Sequence, residues 1–136
     1  MLTQAKPSAN DANAKLRLLV VDDEEAILWP VAKFFRGLGW EVVSSMEAQE
    51  AEAFLGSQKF AVVVLDLALS PFGREGLDVL RSVRRQQPRL PVVILSANVS
   101  PEVELQAKEL GAGAVLRKPL ALPNLAQVVL ALTSAS

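Results

Sequence analysis

Phe60-Ala61-Val62-Val63-Val64-Leu65-Asp66-Leu67 is an apolar run broken only by one carboxylate near its end. A continuous β-branched run this short predicts a strand buried on both faces, and so the centre of a parallel sheet. Leu16 to Val21 has the same character and ends on Asp22-Asp23-Glu24-Glu25. Ile27, Leu28, Val31, Phe34, Phe35 and Leu38 then recur at helical spacing, with Gly37 or Gly39 to close the helix. Pro30 lies too deep for a first-turn proline and is expected to remove one intrahelical bond and kink that helix.

Alternation continues along the chain. Trp40 to Ser45 predicts a strand, and Glu47 to Leu55 a short helix stopped by Gly56. After the central strand, Ala68 to Gly76 is expected as a loop from its Pro and Gly content. A helix from Leu77 to Gln87 should face Leu77, Leu80 and Val83 inward. Its outer side, with Arg81, Arg84, Arg85 and nearby Arg89, makes a basic patch with no aromatic residues interleaved. That pattern fits a solvated face better than direct nucleic-acid binding. Pro91 to Ser96 and Ala114 to Lys118 complete the strands, with helices from Pro101 to Leu110 and from about Pro123 to Thr133. Five strands alternating with five helices predict one α/β domain, a doubly wound parallel sheet with helices on both faces.

Composition narrows the chemistry. The 136 residues are 51% hydrophobic and 21% charged, ordinary for one globular domain expected over residues 16–134. Residues 1–15 are polar and lack the apolar centre of a signal peptide, which predicts a flexible tail and a cytoplasmic protein without membrane partners. There is no cysteine and no histidine. Thiolate chemistry, imidazole metal sites and Ser-His nucleophiles are therefore excluded, and any metal needs oxygen ligands. A net charge of -1 gives no global attraction to nucleic acid.

Parallel strands share one carboxyl edge, and ligands bind outside it. Asp22, Asp23, Asp66, Ser96 and Lys118 are thereby expected to converge. Taken singly, Asp66 could start a turn, the Asp22-Asp23 pair could open a helix, and Lys118 could be a surface lysine. Together, three carboxylates at close range need a cation. A hard divalent ion such as Mg²⁺, held by one or two carboxylates, supplies it and leaves positions for phosphoryl oxygens. Asp66, at the end of the central strand, is the natural nucleophile.

Leu-Val-Val-Asp22-Asp23-Glu24, Val-Val-Leu-Asp66-Leu, Leu-Ser96-Ala97 and Lys118-Pro119 occur in the order of the response-regulator receiver domain of two-component signalling, and the chain from Leu16 to Thr133 resembles that family. The resemblance implies a flavodoxin-like (βα)₅ sandwich with strand order 2-1-3-4-5. It implies Asp66 as phosphoacceptor, Ser96 as switch hydroxyl and Lys118 as partner of the phosphoryl oxygens. Asp22, Asp23, Asp66 and the Ala68 backbone carbonyl would hold Mg²⁺, and the Lys118-Pro119 bond would be cis. The donor would be a sensor histidine kinase or phosphotransfer protein, which suits a chain with no histidine of its own. An enzymatic role beyond self-phosphorylation and dephosphorylation is not expected. An aspartyl-nucleophile phosphatase would want a second acid where Ala68 stands, and a phosphate-independent interaction module of the same fold is the other alternative.

The chain departs from the family pattern in three places. The loop from Asp66 to Gly76 is about two residues longer than usual, with Leu69-Ser70-Pro71 for the usual turn. The family's switch aromatic falls on Val115. Finally, Leu120 to Ser136 carries no charged residue, which suggests either an apolar strip for a downstream protein or a second copy of the chain, or a helix buried more deeply than usual.

Overall fold

The computed structural model describes residues 17–69 and 74–134. The expected tail and the middle of the loop after Asp66 lie outside the described residues. The elements alternate as β1 (Arg17–Val21), α1 (Glu25–Gly37), β2 (Glu41–Ser45), α2 (Ala48–Ser57), β3 (Val62–Asp66), α3 (Arg74–Gln86), β4 (Val92–Ser96), α4 (Pro101–Glu109), β5 (Ala114–Arg117) and α5 (Leu122–Ser134). All pairings are parallel and the strand order is β2-β1-β3-β4-β5, as the resemblance implied.

The period-two alternation of side chains sorts each strand onto two cores. Leu18, Val20, Val62, Val64, Val93 and Leu95 face α1 and α5, where they meet Leu28, Val31, Phe35, Leu125 and Val129. Leu19, Val21, Val63, Leu65, Val92 and Ile94 face the other way, toward Ala51 and Leu55 of α2, Leu77, Leu80 and Val83 of α3, and Ala107 of α4. Every residue of β3 and β4 is buried. Burying Val62 to Leu65 is worth on the order of 6–12 kcal/mol, an upper figure because unfolded chains already shield some apolar surface. That exceeds the several kcal/mol it costs to desolvate one carboxylate. The hydrophobic anchor therefore wins, and Asp66 is held where water is scarce.

Three expectations need correction. Gly56 lies inside α2 rather than ending it. Gly76 lies inside α3, which begins at Arg74 rather than Leu77. A glycine is needed there because a Cβ would stand 2.5 Å from the Leu67 Cα and 2.8 Å from the Asp66 carbonyl oxygen. The basic patch on α3 is also not uniformly free. The Arg84 guanidinium donates to the carbonyls of Pro88 at 2.6 Å and Leu90 at 2.5 Å, tying down the turn after the helix. Arg81 pairs with Asp78 one turn earlier. Pro30 sits within α1, which runs on past it to Gly37. No helix among the described residues is long and apolar enough to cross a membrane.

Candidate functional site

β1 and β3 are adjacent, with Val21 opposite Leu65, so Asp22, just past β1, and Asp66, the last residue of β3, emerge side by side. Asp22 is fully buried and Asp66 almost so, whereas Asp23 and Glu24 are exposed. Oxygens from Asp22, Asp23, Glu24 and Asp66 all lie within 4.8 Å of one another. Asp22, Asp23 and Asp66 were expected to converge, and the structure adds Glu24 as a fourth member of the cluster.

Backbone amides fix one oxygen of each buried acid. The Glu24 N–H donates to Asp22 Oδ1 at 2.9 Å, and the Ala68 N–H donates to Asp66 Oδ1 at 3.0 Å. The second oxygens face Lys118, which follows β5 and reaches back across the sheet edge. Its Nζ lies 2.9 Å from Asp22 Oδ2, 2.6 Å from Glu24 Oε2 and 3.5 Å from Asp66 Oδ2. The buried Asp22 Oδ2 meets the Lys118 ammonium in a close ion pair off the ideal hydrogen-bond axis. Lys118 is fixed by its main chain, its N–H donating to the Ser96 carbonyl at 3.0 Å. The Lys118-Pro119 peptide is cis, as expected.

Burial dominates the electrostatics. It pushes the Asp22 carboxyl up to about 6, against the lowering effect of Lys118 and the Glu24 amide, with Asp66 adding repulsion. It raises the Asp66 carboxyl too, opposed by the Ala68 amide and by Lys118. Burial alone would pull the Lys118 ammonium down, but Glu24, Asp22 and Asp66 together outweigh it, and the ammonium is held well above its ordinary value. One ammonium thus serves three acids. A divalent ion fits this donor set: the ligands are hard oxygens, Asp22 Oδ2 has only a poorly aligned share of one ammonium, and four clustered acids are short of positive charge.

Ser96 ends β4, beside Asp66 at the end of β3, but its hydroxyl is turned elsewhere. It donates to Glu104 Oε2 at 2.5 Å. Glu104 lies on the inner side of α4, and Arg117 grips it through both terminal guanidinium nitrogens, with Nη2 to Oε1 at 3.0 Å. The parallel register sets Arg117 directly opposite Ser96. Neither Glu104 nor Arg117 was singled out from sequence. The available signal was the helical spacing, which puts Glu104 one turn before the buried Ala107. Val115, where the family's aromatic was expected, is half-buried against the core under α2, α3 and α4.

Comparison with known proteins identifies the family and the fold. Residues 18–130 match the response regulator receiver domain family. Over 103 residues the chain is 39% identical to the alginate biosynthesis transcriptional regulatory protein AlgB of Pseudomonas aeruginosa, an alignment covering 76% of this chain and 22% of that protein. The chain thus spans about a fifth of that relative's length. It is similar to the crystal structure of the receiver domain of NtrX from Brucella abortus, with 32% identity, a TM-score of 0.78, and coverage of 88% of this chain and 99% of that one. It is also similar to a response regulator from Burkholderia pseudomallei whose crystal structure holds a phosphorylated aspartic acid, a calcium ion and citrate. There the identity is 25%, the TM-score 0.76, and the coverage 88% of this chain and 69% of that one.

Proposed function

The chain belongs to the response regulator receiver domain family, and on that footing we propose that it accepts a phosphoryl group on Asp66 and relays the change through its protein contacts. The observation that carries this reading is the pairing of two buried carboxylates, Asp22 and Asp66, with one ammonium, Lys118, whose side chain is 10% exposed. Asp66 Oδ1 is occupied by the Ala68 amide, which leaves Oδ2, the oxygen facing Lys118, as the attacking atom. The lone pair of Oδ2 forms a bond to phosphorus as the bond from phosphorus to an imidazole nitrogen of a phosphohistidine breaks. That nitrogen leaves with the bonding electrons. The Lys118 ammonium is placed to offset charge on the phosphoryl oxygens.

Asp22, Asp23, Asp66 and the Ala68 carbonyl are the groups we assign to Mg²⁺, with Glu24 beside them. When bound, the ion supplies the positive charge that the four acids lack and offers positions to phosphoryl oxygens. The phosphorylated aspartic acid and calcium ion of the Burkholderia response regulator support this assignment. The donor is a sensor histidine kinase or a phosphotransfer protein, since the chain has no histidine. For the receiving partner we favour the outer side of α5, where Leu130 is exposed on a helix with no charged side chain.

The test is transfer of labelled phosphate from a phosphohistidine protein or a small phosphodonor, with Mg²⁺, to wild type and to Asp66→Asn. Labelling of the wild type alone is expected. Equal labelling of the Asn variant would sink the assignment.

A further inference from the structure

We propose that Glu104 is a positioning residue, a latch that holds the Ser96 hydroxyl away from the phosphorylation site until a phosphoryl group outbids it. The proposal rests on the phosphoacceptor reading and adds what sets the resting state.

A serine hydroxyl has one proton to donate. In this structure that proton goes to Glu104 Oε2 over 2.5 Å, with both residues buried. It cannot be given at the same time to a phosphoryl oxygen on Asp66. The two destinations are exclusive, so the equilibrium between them depends on how good an acceptor Glu104 is. Three features make it a good one. Arg117 fixes the carboxylate through two nitrogens, so it does not have to be ordered when Ser96 binds. The Ser96 hydrogen bond, against the opposing effect of burial and with Arg117 assisting, holds the Glu104 carboxyl below its ordinary value, so it is ionised at neutral pH. The parallel register also places Arg117 opposite Ser96, which puts all three groups at the ends of β4 and β5 and on the facing side of α4.

The geometry also states what release would move. Ser96 is followed by Asn98, whose φ of 56° turns the chain, and by Ser100, whose hydroxyl caps α4. Glu104 stands one turn into that same helix. When the hydroxyl leaves Glu104, the loop and the first turn of α4 lose a contact that ties them to β4. Val115 has no ring to swing, so Ser96 and Glu104 form the switch instead.

The experiment is a titration with beryllofluoride and Mg²⁺, which mimic the phosphoryl group, followed by the amide resonances of Ser96 and Ala97. Wild type, Glu104→Ala, Glu104→Gln, Ser96→Ala and the Ser96→Ala/Glu104→Ala double variant are compared. Loss of one charge-assisted hydrogen bond predicts that Glu104→Ala reaches half-saturation at about tenfold lower beryllofluoride. Glu104→Gln keeps an oxygen acceptor of the same reach and should gain less. In the Ser96→Ala background the Glu104→Ala change should have no effect, which a general loosening of the fold would not reproduce. A midpoint for Glu104→Ala equal to wild type would overturn the latch, as would a gain that persists without the Ser96 hydroxyl. Failure of the wild type itself to bind beryllofluoride would overturn the phosphoacceptor reading, and the latch with it.

Discussion

The Lys118 ammonium stands 2.9 Å from the Asp22 carboxylate, with the lysine side chain 10% exposed and the aspartate wholly buried. Proximity does not make this pair comfortable, because the Asp22 carboxyl still titrates near 6. The cost of leaving water exceeds what a shared cation returns. The site in its metal-free form is thus a place where folding free energy is spent, and the predictions below follow from where it is spent.

Removing the cation should expose that cost. In Lys118→Met the acids of Asp22 and Asp66 are left with each other and with backbone amides. Stability at pH 7 in metal-free buffer should fall by on the order of 2 kcal/mol, and most of it should return with millimolar Mg²⁺. Urea unfolding with and without the ion checks this. A loss that Mg²⁺ fails to reverse would count against the shared-cation account.

The Asp22 shift has a definite sign. Its folded-state value, about 6, lies above the ordinary 3.8, so between those values the folded chain holds a proton that the unfolded chain has released. Asp22 therefore makes the metal-free protein less stable as pH rises from about 4 to about 6. Asp22→Asn should remove that slope, raising stability at pH 7 by on the order of 1 kcal/mol after loss of the attraction to Lys118, and changing little at pH 4. Urea midpoints at the two pH values measure the difference, and Mg²⁺ should stabilise the wild type but scarcely the variant.

Gly76→Ala pits two effects against each other. Alanine improves helix propensity by about 1 kcal/mol. Its methyl, however, would meet the backbone of Leu67 at 2.5 Å, and neither backbone can step aside without moving β3 or α3. The clash should win, with a net loss of about 2–3 kcal/mol. A lower urea midpoint is the expected result, together with shifted amide resonances at Leu67 and Ala68.

Pro30→Ala should do the reverse. The proline leaves the Ala26 carbonyl without its intrahelical donor, and alanine restores it. A gain of about 1–2 kcal/mol is expected, less than the full proline penalty of a free helix because α1 is held by its packing. A higher melting temperature would confirm it.

The sheet was readable because burial writes itself into sequence. Runs such as Val62 to Leu65 have no polar residue, so strand positions, the parallel sense and the convergence of Asp22, Asp66 and Lys118 followed from apolar spacing and chain direction. Gly56 and Gly76 misled because a glycine that ends a helix and one that lets two backbones touch look alike in one dimension. Arg84 looked like part of a solvated patch because its partners are carbonyls, which carry no sequence signature. Ser96 was placed correctly at the sheet edge, but the direction of its hydroxyl depended on Glu104 and Arg117, 8 and 21 positions away. Such contacts are created by the fold.

The contact between Leu67 and Gly76 has one further consequence. It brings together two points nine positions apart in the chain, one just past Asp66 and the other inside α3. Leu67 and Gly76 hold each other in place at that point. Asp66, in register with Leu95 of β4, is thus fixed from the sheet side and from the α3 side alike. The position of the acid is set where the two backbones meet, and a side chain as small as a methyl group on residue 76 would move it.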